Sequence, residues 1–333
     1  MLEGVSLEAL KGKKNLLAFS GGVDSTALFF LLMEADIEFD IAIVNYNTRA
    51  SSKDEEEYAK ELADIYGKKC FTLSVSPPEK NFEAEARRIR YGFFEKIIKE
   101  HSYHNLVTAH QLNDRLEWFL MRLAKGAGIR ELIGATSVQK RGGYTVVKPL
   151  FKTSREAICD YLKSSNKKYF EDSSNEDTKY ERNAMRAEFA TPFIQKYENG
   201  VRRSFDILES QASLFVQKFF EQDSLIVFCS SGDVVDGTNI ALALKKLGYL
   251  ISGQQRAEIL KNYDAVVGGN FAVSKNKKGL IFVSPFAKVD MDEKFKDTCR
   301  RLDIPPKNRG YLFASGIDVR SLAVLLEGSF SAL

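Results

Sequence analysis

Cysteine is scarce and unpaired in this 333-residue chain: Cys70, Cys159, Cys229 and Cys299 are the only four, and no two stand close together. Without a C-x-x-C pair, neither a zinc knuckle nor an iron–sulfur site is indicated, and reduced thiols in a cytoplasm are the simplest reading. No apolar run is long enough to span a membrane, and residues 1–15 carry no signal-peptide pattern, so a cytoplasmic protein without a membrane partner is expected. Neither sign of charge dominates. Lys and Arg number 48 against 45 Asp and Glu, a net charge of +3, so any RNA site must be a local patch and not a global field. The single tryptophan, Trp118, reads as core or helix packing in preference to a base-stacking platform. Internal repeats and low-complexity tracts are missing too. What remains is an ordinary soluble composition, 44% hydrophobic and 28% charged, with length for two domains.

The first half alternates strand and helix signals. Leu16–Phe19, Phe39–Val44, Lys69–Val75, Asn105–Ala109 and Tyr144–Val147 read as strands. Between them, Asp54–Tyr66, Asn81–Glu100 and Asn113–Lys125 read as helices, the second from Phe82, Ala86, Ile89, Phe93 and Ile97 at helical spacing. Repeated β-α units predict an α/β fold, a doubly wound parallel sheet with helices on both faces and ligands at the carboxyl ends of the strands. Thr153–Ser164 opens with capping-box spacing. Tyr180–Tyr197 reads as a helix interrupted at Thr191-Pro192. After about residue 215 the pattern changes to short strands near 225–229 and 280–283 around a helix near 252–262. These signals predict a larger domain over 1–210 and a smaller α+β domain over 215–333.

The most informative string is Ser20-Gly21-Gly22-Val23-Asp24-Ser25-Thr26, set between a buried strand and a buried helix. A tight Gly-Gly turn there places backbone N–H groups at a helix N-terminus, where they hold phosphate oxygens. Hydroxyls of Ser20, Ser25 and Thr26 can add donors. The string lacks both the Gly-Lys-Ser/Thr ending and the G-x-G-x-x-G spacing of the two commonest phosphate loops. It resembles the S-G-G-x-D-S loop of the N-type ATP pyrophosphatases, which implies cleavage of ATP between the α and β phosphates. Relatives with this loop include GMP, asparagine, argininosuccinate and NAD synthetases and tRNA thiolation enzymes.

Further strings narrow the resemblance. Ala86-Arg87-Arg88-Ile89-Arg90-Tyr91 and Thr108-Ala109-His110-Gln111-Leu112-Asn113-Asp114-Arg115-Leu116-Glu117 are similar, in order, to the A-R-x-x-R-Y and T-A-H-H-x-D-D-x-x-E segments of the tRNA(Ile)-lysidine synthases. Lys125–Gly128, Lys148-Pro149-Leu150 with Ser154-Arg155, Glu171–Asn175 and Arg182–Arg186 follow in the same order, and Ile251–Arg256 resembles that family's first C-terminal domain. The chain departs from the pattern at Ile43 and Tyr46, where many members carry histidines; Asn45 and Arg49 fit. Gln111 and Asn113 also replace His and Asp, leaving Asp114 and Glu117 as the acidic pair.

The resemblance implies a carbon–nitrogen ligase. ATP adenylates the C2 oxygen of the wobble cytidine in the CAU-anticodon isoleucine tRNA, and L-lysine then displaces AMP. The implied partners are ATP, Mg²⁺, L-lysine and that tRNA; a homodimer stays open. Asp24 is a candidate for holding Mg²⁺, with helix capping as its plainer role. Asp114 and Glu117, three apart on a helix, share one face and suit both the recognition of a lysine ammonium and its deprotonation before attack; the plainer reading has them complement the helix N-terminus, with Asn113 as cap. His110 can bind nucleotide or simply be a buried, hydrogen-bonded imidazole. Arg87 and Arg90 can clamp phosphate or a substrate carboxylate, or form a solvated face. Arg182 and Arg186 can meet pyrophosphate or tRNA backbone, and Arg182 is the preferred catalytic candidate. Lysines of 244–278 can touch tRNA phosphates. Three rival readings share the loop: a tRNA thiolation enzyme, against which the dispersed cysteines argue, an amidotransferase-type synthetase, and a non-catalytic nucleotide- or RNA-binding relative.

Overall fold

Leu17 and Phe19 point into one apolar cluster and Leu16 into another, because successive side chains of a strand face opposite sides of its sheet. Their strand, β1 (Asn15–Phe19), is the pivot of the N-terminal unit. The computed structural model describes residues 1–47, 51–76, 82–170 and 181–330. They fall into two units, Met1–Glu209 and Ser210–Leu333. The first runs α1 (Gly4–Leu10), β1, α2 (Val23–Glu34), β2 (Asp40–Asn45), α3 (Ser51–Ile65), β3 (Cys70–Ser74), α4 (Phe82–His101), β4 (Asn105–Val107), α5 (Leu112–Leu123), α6 (Ile129–Ile133), β5 (Val138–Arg141), β6 (Tyr144–Val147), α7 (Arg155–Ser164), α8 (Glu181–Met185), a π-helical turn (Arg186–Ala190) and α9 (Thr191–Leu214).

The sheet order is β3-β2-β1-β4-β6-β5. β1 pairs in parallel with β2 on one side and β4 on the other. The order therefore reverses between β1 and β4, which opens a crevice at their carboxyl ends. Helix α2 buries every residue from Val23 to Leu32 except Asp24. A helix apolar all round needs cover on two sides, and α2 finds it between β1 and α7. Each fully buried Leu or Phe there contributes about 1.5–3 kcal/mol. On the other face, Phe94, Ile97 and Ile98 of α4 pack on Leu16, Ala42, Leu106 and Val146.

The sheet is parallel except at one edge, where β5 pairs antiparallel with β6 through a tight turn at Gly142, whose φ is +55°. Two local expectations are corrected. Thr191-Pro192 does not interrupt the helix but begins α9. Pro192 has no N–H to donate and its ring crowds the preceding turn, so the irregularity falls just before it, as the π-helical turn. The α7 cap is Ser154, whose hydroxyl accepts from the Ala157 N–H; Thr153 instead donates to the Met1 carbonyl.

The second unit has a five-stranded antiparallel sheet ordered β7-β8-β11-β10-β9, from β7 (Phe220–Gln222), β8 (Leu225–Cys229), β9 (Asp264–Val267), β10 (Phe271–Lys275) and β11 (Leu280–Pro285). Ile226 and Phe228 face α10 (Asp233–Lys246) and α11 (Gly253–Asn262). Leu225 and Val227 face α12 (Glu293–Arg301), α13 (Pro306–Ala314) and α14 (Val319–Phe330). The two faces alternate residue by residue along β8, as a sheet covered on both sides requires.

Candidate active site

The Ser20–Thr26 loop joins β1 to α2. Gly21 takes φ +74°, a left-handed conformation that other residues adopt at a cost. Its carbonyl accepts from the Phe170 N–H at 2.9 Å and from the Thr26 hydroxyl at 3.2 Å. The first in-helix bond runs from the Thr26 N–H to the Gly22 carbonyl, so the N–H groups of Val23, Asp24 and Ser25 lie in the turn that precedes regular helix bonding. Ser25 donates to the Gly22 carbonyl at 3.2 Å and accepts from the Ser20 N–H. In this structure the Ser25 and Thr26 hydroxyls brace the loop, and Ser20 alone of the three side chains is exposed.

The second half of the site follows β4. Gln111 caps α5: its side chain accepts from the Asn113 N–H at 2.6 Å, and Asp114 Oδ2 accepts from the Gln111 N–H at 3.1 Å. Asn113 is not the cap; its Oδ1 accepts from the Arg155 N–H. The cap leaves Asp114 Oδ1 and the whole Glu117 carboxylate on one face. Arg182 bridges them, with Nη2 donating to Asp114 at 2.7 Å and Nε to Glu117 at 2.9 Å. Arg186 adds Nε to Glu117 Oε1 at 2.6 Å. Glu117 has no exposed side-chain surface, whereas Arg182 is 40% exposed. Burial works to raise the Asp114 pKa, but His110, Arg182, the Gln111 amide and Arg186 hold it below the usual carboxylate value.

Asp24 belongs to the same electrostatic neighbourhood. Burial, together with the like charge of Asp114, pushes it up to about 7, against the pull of Arg155 and Arg186. Arg155 Nη1 lies 3.7 Å from Asp24 Oδ2. Asp24 Oδ1 is shielded from solvent and has no hydrogen-bond partner among the described residues. His110 Nδ1 lies 3.0 Å from the Thr108 hydroxyl. Burial drives its pKa down to about 4 in spite of Asp114, so the imidazole is neutral at neutral pH.

Arg87 and Arg90 are both exposed. The Arg87 guanidinium stacks over Tyr91 at 4.6 Å, and its charge depresses both His110 and Lys148. Lys148 is buried after β6, donates to the Thr136 carbonyl at 2.9 Å, and is pushed down to about 8, first by burial and then by Arg87. Arg155 and Lys148 stand in the sequence only as parts of longer motifs; nothing in their local sequence says that one lies beside Asp24 and the other near Arg87. Ile43 is buried in the core and Tyr46 donates to the Ala86 carbonyl, so neither position offers an imidazole. Trp118 is 41% exposed and donates to the Glu131 carbonyl of α6, so it packs between helices and not in the core. Arg49 and the 171–175 motif lie outside the described residues.

A model of a family described as a PP-loop domain matches residues 4–192. The chain is 44% identical over 315 residues to the tRNA(Ile)-lysidine synthase of Wolinella succinogenes, covering 93% of this chain and 96% of that protein. It is 41% identical over 319 residues to the enzyme of the same name from Campylobacter jejuni, covering 95% and 98%. The chain belongs to the tRNA(Ile)-lysidine synthase family. Its fold is also like that of the U34-tRNA thiolase NcsA from Methanococcus maripaludis, with a TM-score of 0.51 at 16% identity over 61% of this chain and 77% of that one. The four cysteines of this lysidine synthase relative sit on four different elements, β3, α7, β8 and α12. Burial pushes Cys70 and Cys299 up to about 11, which keeps them as thiols.

Proposed function

We propose that the chain ligates L-lysine to C2 of the wobble cytidine of a CAU-anticodon isoleucine tRNA, through an adenylated cytidine, releasing pyrophosphate and AMP. One observation carries the reading beyond family membership. The acidic pair after β4 and the phosphate loop after β1 converge at the reversal of the sheet: Arg155 lies 3.7 Å from Asp24, and the charges of Asp114, Arg155 and Arg186 all bear on the Asp24 carboxyl. A two-step reaction needs this juxtaposition: a phosphate cradle for adenylation and a cation-binding pair for the nucleophile.

ATP lies with its phosphates over the N-terminus of α2, against the Ser20–Ser25 backbone. A Mg²⁺ ion fits Asp24, because a shielded carboxylate oxygen without a hydrogen-bond donor is matched to a cation and not to another acceptor. When bound, the ion supplies charge neutralisation at the phosphates. Asp114 and Glu117 receive the lysine ammonium. Arg182, the more exposed arginine, yields Asp114 to it and turns toward the leaving phosphates, while Arg186 stays on Glu117. Asp114 is held below the usual carboxylate value, so it orients the ammonium and is a weak base. Neutral His110 and the Arg87 guanidinium border the nucleotide. The 215–333 region binds tRNA.

Pyrophosphate release by the purified protein, measured with each component omitted in turn, tests this reading. Release should require the CAU-anticodon tRNA, and the AMP formed should match lysine incorporated. ATP consumption that matches sulfur incorporation, or that ignores tRNA, contradicts it.

A further inference from the structure

The π-helical turn and α9 carry a row of rings that the described residues leave about half exposed. Phe189, Phe193 and Tyr197 recur every fourth residue and are 54%, 49% and 48% exposed. Four-residue spacing puts them along one helix face. The opposite face of this segment is fully used: Ala190, Ile194, Val201 and Phe205 pack with Leu112 and Leu116 of α5. The outer rings are thus surplus to the core. Phe193 and Tyr197 already touch, with centroids 5.0 Å apart and planes tilted by 51°. The helix bends at Tyr197, where φ is −132° and ψ 24°, so the row ends where the backbone changes direction.

Its surroundings say what it is for. Three residues before Phe189 stands Arg186, whose guanidinium holds Glu117 in the candidate site; the row is therefore continuous with that site along one stretch of chain. Lys196 lies over the Tyr197 ring at 5.3 Å, and Arg203 is exposed one helical stretch further on. Of the acids nearby, Glu181 is paired with Lys125 and Glu198 with Arg202, and Glu188 is exposed beside Phe189. A face that joins rings to exposed cations differs from the charge-depleted centre of a protein–protein interface. It matches a single-stranded nucleic acid, whose bases stack on aromatic faces while cations meet the backbone.

We propose that Phe189, Phe193 and Tyr197 form the platform on which unstacked bases of the substrate tRNA's anticodon loop rest while the neighbouring wobble base enters the site. This rests on the proposed function and deepens it: the wobble base cannot reach Asp114 and Glu117 without leaving its stack, and the row offers the adjoining bases a replacement surface. Stacking compensates for the cost of splaying the loop.

Leucine substitution separates stacking from plain apolar contact, since leucine keeps apolar area and helix propensity but has no π face. The probe is a synthetic stem–loop bearing the CAU anticodon, with affinity read by fluorescence anisotropy. Phe193→Leu combined with Tyr197→Leu should weaken binding at least about fivefold, the low end for loss of one stacked base. Phe193→Tyr should bind like the unsubstituted protein, and ATP affinity should not change in either variant. A stem–loop carrying 5-iodouridine in its loop should photocrosslink, in the unsubstituted protein, to the peptide spanning residues 189–197. Unchanged stem–loop affinity in the leucine variant overturns the proposal, and so do crosslinks confined to other peptides. Unchanged RNA affinity with a dimer converted to monomers assigns the face to a second copy of this chain instead. Neither readout involves ligation, so a failure to incorporate lysine strikes the functional reading while stem–loop affinity still decides the role of the rings.

Discussion

Glu117 Oε1 and Arg186 Nε meet at 2.6 Å on a carboxylate with no exposed side-chain surface, and Arg182 reaches the other oxygen of the same carboxylate at 2.9 Å. One buried anion thus orders two cations from a segment 65 to 69 residues away in sequence. Glu117→Ala removes the carboxylate that both guanidiniums share and leaves Arg182 on Asp114. A loss of about 3–5 kcal/mol is expected, visible as a lower denaturation midpoint with an unchanged slope against denaturant.

Asp114→Asn keeps the shape of the α5 cap and removes its charge. The KM for lysine should rise about tenfold or more, as loss of a charge-assisted hydrogen bond does, while ATP affinity stays within about twofold. Steady-state kinetics and isothermal titration with a non-hydrolysable ATP analogue measure the two. An equal fall in ATP affinity would move Asp114 to the metal site.

Asp24 gives a pH dependence with a definite sign. Its pKa in the fold, about 7, lies above the unfolded value near 3.8. Between those values the folded state holds the proton more tightly, so stability declines as pH rises from about 4 to about 7. Above pH 7 the ionised carboxylate costs on the order of 2–4 kcal/mol. Asp24→Asn should therefore raise the melting temperature at pH 8 and change little near pH 4. Mg²⁺ should raise the melting temperature of the unsubstituted protein at pH 8 and not that of the variant.

His110 is one of three histidines, with His101 and His104, so each imidazole can be followed by NMR. One should titrate near 4. Because this base has a depressed pKa, its contribution to stability is present above the unfolded value of about 6.5 and is lost as pH falls toward 4. Three titrations all near 6.5 would contradict a buried, neutral His110.

Gly21→Ala places a side chain at φ +74° with Glu55 and Phe170 atoms 3.4 Å from the new Cβ. The left-handed strain costs about 1–2 kcal/mol. Relief by a flipped backbone would also displace the carbonyl that Thr26 and Phe170 use. ATP affinity should fall more than global stability, as calorimetry beside thermal denaturation would register.

The phosphate loop was legible because its demands are local: a positive φ, a strand before it and a helix after it. Asp114 and Glu117 were legible as partners because helical spacing alone puts them on one face. The pairing of Arg182 and Arg186 with those carboxylates was not, since it depends on how two distant helices cross. Short elements such as α6 and β5 are not legible because neither has the length for a periodic pattern. Thr191-Pro192 reads as a break from sequence alone, yet proline is equally at home in the first turn of a helix, where Pro192 stands. Hydroxyl directions at Ser25 and Thr26 depend on loop carbonyl positions that composition does not reveal.

The central claim is that lysine is joined to the wobble cytidine at this site. Its most direct test is nucleoside mass spectrometry of CAU-anticodon isoleucine tRNA after incubation with the purified protein, ATP, Mg²⁺ and isotopically labelled lysine. The expected result is a cytidine derivative carrying the labelled lysine at the wobble position, lost in Asp114→Asn at low lysine. Unmodified cytidine, or a sulfur-bearing nucleoside in its place, would contradict the account.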